Sequence, residues 1–151
     1  MYKPLILKFN APPFSINSAY YKNGNRTKKC RAWGDSLLEQ IDNFSQEIEE
    51  FRSQFDKLKH SLNTEIIFLY PYSILFTKQD YISRRSMDLS NIEKLLVDLI
   101  FDNRFFERGT NNLNLDDTLV TSQLSKKRLS KDDLHQIIVT ITISDLTDLH
   151  L

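Results

Sequence analysis

The sequence predicts an α+β fold: a mixed four-stranded sheet with two main helices packed on one of its faces. Three observations lead there. Residues 36–59 repeat apolar side chains at helical spacing, and residues 136–143 alternate as a strand does. Between them lie short apolar runs bounded by Pro, Asn and Asp. The chain has 151 residues, the length of one domain, so 1–151 reads as a single unit. Its 40% apolar content is enough for a core and too high for a disordered chain.

The elements follow in chain order. Residues 5–9 (LILKF) suit a first strand. Residues 11–35 read as a loop, because Ala11-Pro12-Pro13 disfavours helix and Asn23-Gly24-Asn25 signals a turn. Leu37, Ile41, Phe44, Ile48, Phe51, Phe55 and Leu58 then form an apolar seam on the helix 36–59. Such a seam either covers a sheet face or pairs with a second helix, and Phe at several positions suits the sheet. Residues 65–76 read as a strand broken or bulged at Pro71, 90–102 as a second helix, and 117–125 as a short strand. Residues 136–143 (QIIVTITI) give the last strand. Asn111-Asn112 and Lys131-Asp132-Asp133 sit in turns, and Phe105 and Phe106 read as packing.

Several chemistries are excluded by simple counts. A lone cysteine, Cys30, forms no disulfide within the chain and no thiolate-rich zinc site. His60, His135 and His150 are scattered without a zinc-ligand spacing. Three glycines leave no room for a phosphate-cradling glycine loop. No apolar run approaches the ~20 residues of a membrane span, and the N-terminus lacks a signal-peptide pattern. A soluble intracellular protein is the expectation.

The formal net charge is zero, but the charge is unevenly placed. Residues 1–35 carry seven basic groups and one acid, whereas each later segment is mildly acidic. Lys22, Arg26, Lys28, Lys29 and Arg31 interleave with Tyr20, Tyr21 and Trp33. Basic groups neutralise phosphates, and aromatic rings stack on unpaired bases. A second basic cluster is Lys126-Lys127-Arg128, and Arg84-Arg85 forms a third.

The acids that carry chemistry lie around the second helix. Asp88 precedes it, and Ser90 with Glu93 three residues on forms a capping-box signature. Asn91, Lys94 and Asp98 share a polar face opposite the apolar one. Asp116-Asp117 opens the next strand. Carboxylates at such junctions can converge on a hard cation such as Mg²⁺. Taken alone, the same residues are more often capping and turn chemistry.

In this arrangement the sequence resembles the RusA-type Holliday-junction resolvases. Pro13, Asn17 and Tyr20 match the family's element after the first strand, and a basic stretch, Arg26 to Trp33, follows. The Asp–x–Asp–Asn–x–x–Lys–x–x–x–Asp motif falls without gaps on Asp88, Ser90, Asn91, Lys94 and Asp98. The family's paired strand-opening acids fall on Asp116 and Asp117. The resemblance implies a Mg²⁺-dependent endodeoxyribonuclease that cuts four-way DNA junctions as a homodimer in the cytoplasm of a bacterium, encoded by host or phage. It implies Asp88 and Asp117 as metal-binding carboxylates, Lys94 as the catalytic lysine, Asp116 as their neighbour, and Asn91 and Asp98 as support. DNA contact falls to the 11–35 loop, with Arg84 and Arg85 beside the acids.

Ser90 departs from the family pattern, since a neutral hydroxyl stands where an aspartate is expected. A substitute carboxylate such as Asp116 or Glu93 keeps the site active in the reading favoured here. The alternatives are a weak, slow site, or a protein that binds junctions without cutting. In a third reading the helical seam binds a partner and the acids merely cap.

Overall fold

The computed structural model describes residues 1–101 and 115–150. Four strands form one sheet in the order β1-β4-β2-β3: β1 (Leu5–Phe9), β2 (His60–Tyr70), β3 (Val120–Leu129) and β4 (Gln136–Asp145). β4 is antiparallel to both β1 and β2, while β2 and β3 run parallel. A parallel pair needs a long crossover. Here it contains helix α4 (Leu89–Phe101). The mixed sheet and its helical cover match the expectation.

Strand alternation sorts the side chains. Leu7, Phe9, Ile66, Phe68, Val139 and Ile141 are at most 1% exposed and meet the helices. Burying each side chain contributes roughly 1.5–3 kcal/mol. On the other face, Ile6, Ile67, Ile138 and Leu124 are exposed or only half-buried.

Helix α1 (Lys28–Ile41) begins well inside the expected 11–35 loop. The Thr27 side chain accepts a hydrogen bond from the Cys30 N–H at 3.2 Å and caps it. Cys30, Trp33, Leu37, Leu38 and Ile41 form the buried stripe, whose first turns are hidden in sequence among lysines and arginines. Positive charge at a helix start opposes the macrodipole, so this helix relies on its cap and its buried stripe. The expected 36–59 helix is broken at Asp42–Phe44 by a 3-10 turn and resumes as α2 (Ser45–Gln54). Asp and Asn are weak helix formers. Leu37, Ile41, Ile48 and Phe51 are buried in the core, so the seam covers the sheet. Leu58 lies beyond the helix and is 79% exposed.

Two strand boundaries also move. β2 ends at Tyr70, and Pro71 precedes the short helix α3 (Tyr72–Leu75) instead of bulging a strand. The register shift in β2 lies between Leu62 and Asn63. β3 runs to Leu129, past the expected end at residue 125. The expected Asn111-Asn112 turn, Phe105 and Phe106 lie outside the described residues. Among the described residues, no helix is long and apolar enough to cross a membrane.

Candidate functional site

The connection from β2 to α4 is pinned at Ser86, which is fully buried. Its hydroxyl donates to the Ser83 carbonyl at 2.7 Å and accepts from Lys127 Nζ at 2.9 Å. The Ser86 carbonyl accepts from the hydroxyl of Tyr70, also fully buried, and burial pushes that phenol's pKa well up. Met87 follows with φ 65° and ψ 163°. That backbone region is essentially reserved for glycine and costs on the order of 1–3 kcal/mol for other residues. The strain falls one residue before Asp88, which directly precedes α4.

A cleft of about 460 Å³ opens at this corner, lined by Ser15, Asn17, Ile82, Ser83, Arg84, Met87, Asp88, Asn91 and Lys127. The volume is in the range of small-ligand sites. The cleft joins two segments far apart in sequence: Ser15 and Asn17, in and before the 3-10 turn Ile16–Ser18, and the Asp88–Asn91 start of α4. Its charged lining is Lys127, Arg84 and one carboxylate, Asp88. Hydroxyl, amide and cationic donors facing one space are suited to a tetrahedral oxyanion.

Lys127 was not among the residues expected at the site. The period of two along β3 explains its place: Lys127 pairs with Phe68 on the helix-covered face, whereas Lys126 and Arg128 lie on the opposite face. Lys126 forms an ion pair with Glu65 at 3.6 Å there. Burial lowers the pKa of Lys127, and the nearby Asp88 charge opposes that shift. The signal was available in the Lys126-Lys127-Arg128 run, but a strand ended at residue 125 could not separate its faces.

The other expected residues fall around the cleft in different ways. α4 starts at Leu89, so Ser90 is an exposed residue of the first turn and not the residue before the helix. Glu93 reaches across to the Ser125 hydroxyl on β3 instead of closing a capping box. Lys94 is 64% exposed and pairs with Asp98 one turn on, at 3.8 Å. Arg85 is exposed, and its Nε donates to the Ser83 hydroxyl at 3.4 Å.

Lys22 and Arg26 belong to a small hairpin in which Tyr20 bridges to Arg26 and Gly24 takes the turn at φ 87°. Lys28, Lys29 and Arg31 are exposed on the first turns of α1. None of these five basic residues lines the cleft, but the hairpin adjoins α4: the Asp98 charge acts on Tyr20, whose phenol burial pushes up. Tyr20 and Tyr21 are 39% and 48% exposed, whereas Trp33 is buried and donates to the Pro12 carbonyl at 2.8 Å. Trp33 is therefore core and not a stacking surface. Cys30 is buried, and burial raises its thiol pKa.

Asp116 and Asp117 stand elsewhere. They lie at the 3-10 turn Asp117–Leu119 that opens β3, where the Asp116 side chain accepts from the Thr118 N–H at 2.9 Å. Val120 pairs with Leu62 near the start of β2, whereas Lys127, beside Asp88, pairs with Phe68 near its end. Seven strand steps at about 3.3 Å place roughly 23 Å between Val120 and Lys127. Among the described residues, no three His, Cys, Asp or Glu side chains are grouped to hold a metal. Asp88, Asp116 and Asp117 are thus not drawn into one cage.

The β2 start carries a different network. The Asp56 N–H donates to His60 Nδ1 at 2.9 Å, which leaves the ring proton on Nε2. Nε2 meets the Tyr2 hydroxyl at 2.8 Å, and that hydroxyl donates to Asp145 at 3.0 Å. These bonds tie the N-terminus, β2 and the end of β4 together.

No protein-family model matches the chain, and no curated protein matches it.

Proposed function

We propose that the protein is a Mg²⁺-dependent, structure-selective endodeoxyribonuclease that acts on four-way DNA junctions, with the cleft at Asp88 and Lys127 as the seat of the phosphodiester. One observation carries the reading: Ser15 and Asn17, in the element after the first strand, meet Asp88 and Asn91 in a single polar cleft. These are two of the three sequence parts that resemble the RusA-type resolvases. Lys127 and Arg84 neutralise the phosphate there. Lys94 shares the Asn91 side of α4, where it pairs with Asp98, and its exposed ammonium lies on the surface that a phosphate beyond the cleft would meet. The basic hairpin and the start of α1 carry the flanking DNA. Two symmetric cuts require two sites, so the active form is a homodimer.

The cleft offers Mg²⁺ one carboxylate, beside the cations Arg84 and Lys127. Asp88, with the amide oxygens of Asn91 and Asn17, would hold it; Mg²⁺ keeps several waters and is commonly completed by substrate phosphates. When bound, the ion supplies positive charge at the phosphate and lowers the pKa of a bound water. Asp116 and Asp117 have no ligand role in this account. The test is cutting of a synthetic four-way junction. Wild-type protein with Mg²⁺ gives symmetric products, and Asp88→Asn does not. Equal cutting by Asp88→Asn removes the site assignment.

A second reading is junction binding without cutting. It is favoured by the neutral Ser90 and by the placement of Asp116 and Asp117 at the far end of β3. Its signature is tight junction binding in Ca²⁺ and no product in Mg²⁺.

A further inference from the structure

The loop between α3 and the Arg84–Ser86 turn exposes large apolar side chains beside the cleft. Tyr81 is 72% exposed and Ile82 62%, and Tyr72, at the start of α3, is 47% exposed. Ile82 also lines the cleft.

The loop is tightly braced. Phe76 and Ile82 form a bridge, and the Thr77 N–H donates to the Tyr81 carbonyl at 2.7 Å. The Tyr81 N–H donates to the Thr77 hydroxyl at 3.1 Å. Asp80 takes the left-handed turn at φ 64°, and the Tyr72 hydroxyl bonds its carboxylate. The Ser83 N–H closes the base on the Leu75 carbonyl at 2.8 Å. A braced loop with an apolar tip holds its binding surface ready, so little ordering entropy is lost on contact. Lys78, Arg84 and Arg85 are exposed in the same segment and outnumber its one acid, Asp80, and Arg84 lines the cleft with Ile82; this net positive charge favours a polyanion over an apolar protein surface.

We infer that Tyr81 and Ile82 form a nucleobase-stacking platform that takes an unpaired base while the cleft holds its phosphate. The inference deepens the phosphodiester reading of the cleft and rests on it. Ile82 links the two surfaces. An aromatic face binds any base without reading its identity. A fully paired duplex keeps its bases stacked inside and offers the platform nothing. The platform would therefore confer preference for unpaired nucleotides, such as those at a branch point.

The test uses fluorescence anisotropy of the full chain with two labelled oligonucleotides of equal length, oligo-dT and an abasic strand with the same phosphates. Tyr81→Ala weakens oligo-dT binding roughly tenfold and leaves abasic binding unchanged. Tyr81→Phe keeps the wild-type values, and Lys127→Met weakens both strands alike. Equal weakening of both strands by Tyr81→Ala, or no weakening of either, overturns the platform, as does a wild type that binds neither strand. A selective Tyr81→Ala effect without any Lys127→Met effect leaves the platform standing and removes the cleft as the phosphate seat.

Discussion

The two ends of β3 use their polar groups in opposite ways. At the Lys127 end, cationic and amide groups face an open cleft, and a strained Met87 backbone holds Asp88 at its wall. At the Val120 end, His60 is buried and bonded at both ring nitrogens, and Asp116 bonds back to its own turn. Groups bonded to one another stabilise a fold but have little left for a ligand. Groups facing an open space, on a backbone that costs energy to hold, are what a binding site requires. The difference teaches that residues of similar appearance in sequence can serve different ends of one strand.

The largest expected effect separates the two acids. Asp88→Asn lowers Mg²⁺-dependent junction cutting by about two orders of magnitude or more, while Asp117→Asn stays within about threefold of wild type. Equal losses in single-turnover assays would break the comparison and return Asp117 to the cation site.

Stability should show the reverse pattern. His60→Ala removes a buried ring and its bonds, and costs roughly 2–3 kcal/mol in urea unfolding. Asp88→Asn, at an exposed position, shifts stability by less than about 0.5 kcal/mol. A His60→Ala protein as stable as wild type would show that the network at the β2 start is not structural.

Met87 sharpens the same contrast. Glycine accepts the φ of 65° that other residues resist. Met87→Gly should therefore be more stable than Met87→Ala by about 1–2 kcal/mol, although alanine keeps more of the side chain. The opposite order in thermal melts would remove the strain.

A smaller effect belongs to His135, whose ring packs against Tyr70 at 5.6 Å. Burial lowers its pKa in the folded protein. The unfolded chain then binds the proton first, so the stability due to a neutral His135 is complete above about pH 6.5 and falls as the pH drops below it. His135→Gln should flatten that part of the stability–pH curve, and an unchanged slope would assign the acid sensitivity to other groups.

Much of the fold is legible in sequence because periodicity reports burial. The alternation of 136–143 marks the central strand β4, and the Leu37–Phe51 seam marks the helical cover. Capping at Thr27 was not legible, because the basic residues after it masked the buried Cys30 and Trp33. Around the cleft, Asp88, Asn91 and Asn17 were legible as motif residues. Lys127 was not, because its role depends on which face of β3 it occupies. The placement of Asp116 and Asp117 depends on the parallel β2–β3 register, a long-range pairing that local spacing does not encode.

The central claim is that the Lys127 end of β3 seats a DNA phosphate. Lys126 and Lys127 are adjacent in sequence and lie on opposite faces of one strand, so they form a matched pair. The direct measurement is four-way junction affinity in Ca²⁺ across a range of salt concentrations for Lys126→Met and Lys127→Met. Lys127→Met should weaken binding and reduce the salt slope by about 0.9, the value for one lost phosphate contact, while Lys126→Met keeps the wild-type slope. Identical slopes for the two variants, or a loss confined to Lys126→Met, would contradict the account.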